Sequence, residues 1–188
     1  MLVDANGLQN YISFKLQIPS SGDVIRNQME LNRIPSNMED VWIAQFPISK
    51  QKGLELSKQQ SMKNLTIGIN ALNGISVLEL SGLEALERVK IMRGGLSGGS
   101  GKWLVTNCSS LISIDIGEFA FVKYKDLELV SLPLLQAIDI GNNGFQNVYS
   151  TLMESNLGSE MMTETCLHYS PFNWETMHFR EIAVTNVR

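Results

Sequence analysis

Apolar residues in this chain recur in a fixed frame about two dozen residues long. In Leu127–Phe145, LELVSLPLLQAIDIGNNGF, they fall at Leu127, Leu129, Leu132, Leu135, Ile138, Ile140 and Phe145. Moving the window back by 24 lands on Trp103, Val105, Cys108, Leu111, Ile114, Ile116 and Phe121. A further 25 gives Leu78, Leu80, Leu83, Leu86, Val89, Ile91 and Leu96. Another 24 gives Leu54, Leu56, Met62, Leu65, Ile67 and Leu72, with Gln59 as the only polar residue in a frame position. Apolar and polar residues alternate twice within each unit. The later alternation predicts short strands at Val41–Ile43, Leu65–Ile67, Val89–Ile91, Ile114–Ile116 and Ile138–Ile140, with the outer two residues inward and the middle one outward. The earlier one, as in Leu78-Glu79-Leu80 and Leu127-Glu128-Leu129, predicts a second short strand on the opposite side of the unit.

The frame extends toward the amino terminus. Val3, Ala5, Leu8, Tyr11, Phe14 and Leu16 form a first unit, and Met29, Leu31, Ile34, Met38, Val41 and Ile43 a second. After Val148 the register is lost. The expected organisation is a solenoid of about six repeats over 1–150, an irregular insertion over 151–171 and a degenerate seventh repeat over 172–188. No single unit can bury its apolar face, but stacked units share one core, and about three are needed for stability. The fold class is therefore mainly β, with parallel strands on a concave face and short strands or irregular segments on the convex side.

From Leu135 onward the residues fill the pattern LxxLxLxxNxL, with Asn143 in its polar position, and this resembles a leucine-rich repeat. Segments such as SLPLLQAIDIGNNGFQNV and LVTNCSSLISIDIGEFAF, with Ile-Gly at Ile67-Gly68, Ile116-Gly117 and Ile140-Gly141, are similar to the repeats of about 24 residues expanded in some unicellular eukaryotes. Ile91-Met92 and Ile43-Ala44 depart from that pattern. The resemblance implies protein binding without naming a partner.

Composition narrows the function classes. The chain has 188 residues, 44% hydrophobic and 18% charged, and a net charge of −4, with its basic residues scattered. That balance argues against a nucleic-acid surface, which needs a basic stripe to displace counterions from phosphate. No signal peptide is visible and no window approaches the roughly 20 apolar residues needed to cross a bilayer, so a cytoplasmic location is favoured. Cys108 occupies a leucine position and is expected to pack as an apolar group. Cys166-x-His168 lacks zinc spacing, and His168 and His178 are expected at the surface. Asn64-Leu65-Thr66 and Asn107-Cys108-Ser109 match the glycosylation pattern and are read as coincidences. The run Gly94–Gly101 followed by Lys102 fails the phosphate-loop pattern at Leu96 and Trp103, and is expected to be a flexible loop.

The outward strand positions carry the candidate site. One column runs Lys15, Trp42, Thr66, Lys90, Asp115, Asp139, and the column two residues earlier runs Ser13, Asp40, Asn64, Arg88, Ser113, Ala137. Trp42, Thr66, Arg88, Lys90, Asp115 and Asp139 are the expected partner-binding residues, because mixed charge beside a large aromatic suits a complementary protein surface. Asp115 and Asp139 on adjacent strands invite a glycosidase or calcium-site reading. An open sheet offers neither a pocket to raise one carboxyl pKa nor the six to eight oxygens that calcium requires. The expectation is a protein ligand, with no catalytic residues, cofactor or metal.

Overall fold

The computed structural model describes residues 24–48, 52–154 and 167–169; the predicted first repeat and the predicted seventh lie outside the described residues. The chain begins with strand β1 (Val24–Ile25) and a one-turn helix α1 (Gln28–Leu31). The strands that follow are β2 (Asp40–Ile43), β3 (Gly53–Glu55), β4 (Asn64–Ile67), β5 (Val77–Ser81), β6 (Arg88–Ile91), β7 (Lys102–Thr106), β8 (Ser113–Ile116), β9 (Asp126–Val130), β10 (Ala137–Ile140), β11 (Ser150–Glu154) and β12 (Leu167–Tyr169). They form two sheets, β1-β2-β4-β6-β8-β10-β12 and β11-β9-β7-β5-β3, in which every pairing is parallel. The chain is thus a mainly β, parallel solenoid of about five turns with a repeat of about 24 residues.

Register follows from the repeat length. Ile43, Ile67, Ile91, Ile116 and Ile140 are direct partners along the seven-stranded sheet. Just past the strands the backbone ladder continues, with the N–H of Gly68, Met92, Gly117 and Gly141 donating to the carbonyl of Ile43, Ile67, Ile91 and Ile116 at 2.7–2.8 Å. A one-residue slip of one strand against the next would turn every inward residue outward, because strand side chains alternate faces with a period of two.

The core is built mainly on the frame positions. Leu54, Leu56, Met62, Leu65, Ile67 and Leu72 are buried, and so are all seven positions of each of the next two units, Cys108 included. Burial raises the Cys108 thiol above its ordinary pKa. Each buried aliphatic side chain stabilises the fold by about 1.5–3 kcal/mol. Gln59, the polar residue of the frame, is buried and donates from Nε2 to the Ile34 carbonyl at 3.3 Å.

Three corners turn the chain through the left-handed region. Leu72, Leu96, Phe121 and Phe145 occupy one corner at φ 52–58°, and Asn70, Gly94, Phe119 and Asn143 a second at φ 51–67°. Gly82, Asn107 and Ser131 occupy the third at φ 54–64°. Left-handed backbone disfavours residues with a Cβ by roughly 1–2 kcal/mol. In the first corner, burial of large side chains offsets that strain. In the third, nothing lies within 4 Å of a Cβ built on Gly82, so glycine is there for its backbone alone.

The run Gly94–Gly101 is a packed element and not the flexible loop expected of it. A Cβ on Gly99 would collide with the carbonyl oxygen of Ile75 in the preceding turn, so only glycine admits the two backbones at this distance. The phenol of Tyr124, one turn further on, donates to that same Ile75 carbonyl at 2.8 Å. Beside it Trp103, Phe121 and Phe145 stack, with Phe121 and Phe145 centroids 4.6 Å apart and 6° from parallel. Tyr124 meets the Phe121 ring edge-on.

Two further expectations are corrected. Met29 is 65% exposed: it lies in α1, where residues two apart point to different sides, and only Leu31 of that helix is buried. The Asn27-x-x-Glu30 pattern makes the helix, since the Asn27 side chain accepts from Glu30 N and Glu30 accepts from Arg26 N. Thr151–Glu154, expected to open the irregular insertion over 151–171, belong to the strand Ser150–Glu154 paired with β9. Thr151 and Met153 stand opposite Leu127 and Leu129, so the same 24-residue step holds for one more rung.

Gly99→Ala should lower stability by about 3 kcal/mol or more in urea unfolding, since backbone would have to move. Gly82→Ala should lower it by only about 1–2 kcal/mol; equal losses would contradict this account. Burial holds the Tyr124 phenol above its usual pKa of about 10. The folded state therefore keeps this proton more tightly than the unfolded chain, so the Tyr124 contribution is complete below pH about 10 and declines as pH rises toward the folded value. Melting temperature should fall above that pH, and Tyr124→Phe should flatten the fall while losing a hydrogen bond worth about 1 kcal/mol.

Candidate interaction surface

All six predicted residues lie on the outward side of the seven-stranded sheet. Trp42, Thr66, Lys90, Asp115 and Asp139 are consecutive register partners, and the next partner is His168 of β12. Arg88 stands in the middle of the neighbouring column, opposite Asn64 on one side and Ser113 on the other. Strand β6 alternates exposed and buried along Arg88-Val89-Lys90-Ile91, which is why both cations face outward from one strand.

Trp42 is half-buried. Its indole leans toward the next turn, where Nε1 lies 3.5 Å from the position of a Cβ on Gly68. Beside it Asn64 Nδ2 donates to Asp40 Oδ1 at 2.6 Å, joining β2 and β4 through their outward side chains.

The charges are arranged by row. Lys90 Nζ lies 2.9 Å from Asp115 Oδ2 on the next strand, with the two side chains 55% and 48% exposed. Lys63 Nζ lies 2.9 Å from Glu39 Oε2, and the hydrogen bond and charge of that carboxylate raise the Lys63 pKa. Arg88 approaches Glu87 at 3.4 Å, and Arg93 approaches Glu118 at 3.9 Å. Arg88 and Lys90 thus do not stand as bare cations beside two bare carboxylates. Asp115 and Asp139 are register partners, but Asp115 is engaged by Lys90, and among the described residues no group of three His, Cys, Asp or Glu side chains is placed to hold a metal.

Sequence reasoning stopped at the strand ends and missed the adjoining corner. Ile69, Arg93 and Phe119 extend the same surface, with the Arg93 guanidinium 5.7 Å above the Phe119 ring and both Ile69 and Phe119 exposed. The signal was present in the spacing. Asn70, Gly94 and Asn143 are residue types that favour left-handed backbone, whereas Phe119, which shares their position at φ 56°, is of a type disfavoured there. The outward side of the five-stranded sheet differs in character. Its central column, Glu55, Glu79, Leu104, Glu128 and Leu152, is half-buried over most of its length, and Lys102 bridges to Glu128 at 2.5 Å.

No described helix is long and apolar enough to cross a membrane. No family model, curated protein or solved structure matches the chain.

Exposed ion pairs contribute little to folding, typically 0–1 kcal/mol. Lys90→Ala or Asp115→Asn should therefore each change the urea-unfolding free energy by less than about 1 kcal/mol. A loss above about 2 kcal/mol would make the pair a structural element and not a surface available to a ligand.

Proposed function

We propose that this chain is a protein-binding module of the leucine-rich repeat kind, which recognises a partner protein on the outward side of its seven-stranded sheet. The observation that carries the reading is a single row of outward residues, Trp42, Thr66, Lys90, Asp115 and Asp139, held in register on five adjacent strands. Seven strands at about 4.8 Å give a platform roughly 29 Å long, a size that fits a protein surface better than a small molecule. The leucine-rich assignment rests on the pattern itself: Leu135, Ile138, Ile140, Asn143 and Phe145 fill the repeat signature, and Ile138 and Ile140 supply the inward positions of β10.

A second reading, favoured by the pairing of each row's cations with nearby carboxylates, is a structural segment of a longer repeat array whose surface is passive. The two readings differ in what an exchange of charge does. In affinity capture from lysate, a folded variant carrying Arg88→Glu, Lys90→Glu, Asp115→Lys and Asp139→Lys should lose the proteins held by the native chain. Trp42→Ala should weaken capture by about tenfold or more, the range of an interface anchor. Unchanged capture by both folded variants would favour the passive surface.

A further inference from the structure

Two adjacent turns of the seven-stranded sheet carry opposite charge in matching positions. On the β6 turn stand Lys90 and Arg93, and on the β8 turn, at the same register, stand Asp115 and Glu118. A positive row directly beside a negative row is self-complementary under a twofold rotation. We propose that this surface pairs with a second copy of the chain, about an axis that runs parallel to the strands between β6 and β8. The inference rests on the reading of this sheet as a protein-binding surface and names its partner.

The rotation sets β6 of one copy against β8 of the other and keeps the position along the strand. Lys90 then faces the second copy's Asp115, and Arg93 faces its Glu118. Each Lys90–Asp115 pair, already 2.9 Å apart within one chain, lies over the reversed pair of the other copy. Four charges result in which every nearest neighbour has the opposite sign, and Arg93 with Glu118 builds a second such quartet. Reach is also compatible, because sheets pack about 10 Å apart and each facing pair joins a long basic side chain to a shorter acidic one.

The same operation addresses Phe119. This residue holds left-handed backbone at φ 56° and is 41% exposed, so neither backbone preference nor burial in the core favours an aromatic there. Its column partner on the β6 turn is Gly94, and the place a side chain would take there is filled by Asn70 of the preceding turn. In the pair, Phe119 of each copy comes over Gly94 and the Asn70 side chain of the other, where its ring is covered. Arg93, 67% exposed and stacked on that ring, is fixed in place to meet a carboxylate.

The surface is small. A platform of roughly 29 Å by about 15 Å covers some 450 Å² per copy, below the roughly 800 Å² per partner of a stable complex, so the association is weak and salt-sensitive.

Sedimentation of the full chain from about 5 µM to about 500 µM tests this directly, a range that spans weak dimers. The native chain should dimerise within it, and raising salt from about 50 mM to about 500 mM should weaken the dimer by tenfold or more. Lys90→Glu and Asp115→Lys, each alone, set like charges face to face and should each lose dimerisation by at least tenfold. Mixed in equal amounts, the two variants should recover a mixed dimer, because every facing charge is again opposite. Circular dichroism and urea unfolding establish that both variants are folded; if either is not, the salt series on the native chain decides. A native chain that stays monomeric, a dimer indifferent to salt, single variants that dimerise normally, or a mixture that stays monomeric would each overturn the proposal. A monomeric native chain that still captures another protein through this surface would sink self-pairing alone; loss of both would sink the broader reading as well.

Discussion

Between β2 and β10 each turn closes with the same number of residues as its neighbour, to within one, and backbone N–H and C=O groups meet between turns. The isoleucine row from Ile43 to Ile140 shows the result, with steps of 24, 24, 25 and 24 residues and unbroken register. The extra residue between Ile91 and Ile116 does not disturb the strands before or after it, and both sheets resume their pairing. Hydrogen bonding between turns fixes the spacing, and burial of the aliphatic rows makes that spacing stable.

Close stacking restricts the residues between strands more than those within them. Gly99 has no room for a side chain, because the turn beneath it presents a carbonyl at contact distance, and Tyr124 uses that carbonyl. Leu72, Leu96, Phe121 and Phe145 accept left-handed backbone because each fills the space at the corner of its turn. The interior is correspondingly unequal. Aliphatic rows dominate the earlier turns, while Trp103, Phe121, Tyr124 and Phe145 pack together in the later ones. Buried there, Trp103 Nε1 has no acceptor among the described residues, a desolvation penalty of about 1–3 kcal/mol set against the stacking of its ring.

The surface inherits the same periodicity. A solenoid cannot place one outward residue without placing it beside its counterparts one turn away, so a charge pattern in the sequence becomes a pattern of rows in space. Lys90 beside Asp115 and Lys63 beside Glu39 follow from that geometry. Screened and exposed, such pairs add little to folding, which leaves them available for contacts with another surface. The glutamate-rich column of the five-stranded sheet shows how differently the two sides of one turn can be composed.

Much of this was written in the linear chain. The recurring apolar frame determined the period, the parallel stacking, the inward rows and the order of the outward column from Trp42 to Asp139, because alternation and turn length are local properties that repeat. Other features depended on what one turn presents to the next. Cation pairing through neighbouring carboxylates, the packing of the glycine run, and the corner formed by Ile69, Arg93 and Phe119 all arise between residues about 24 or 25 positions apart. The strand Ser150–Glu154 was hidden because only Thr151 and Met153 carried its pattern, and pairing with β9 made it a strand. Met29 was misplaced for the converse reason, since a local cap at Asn27 wound a helical turn where the apolar spacing alone read as extended chain.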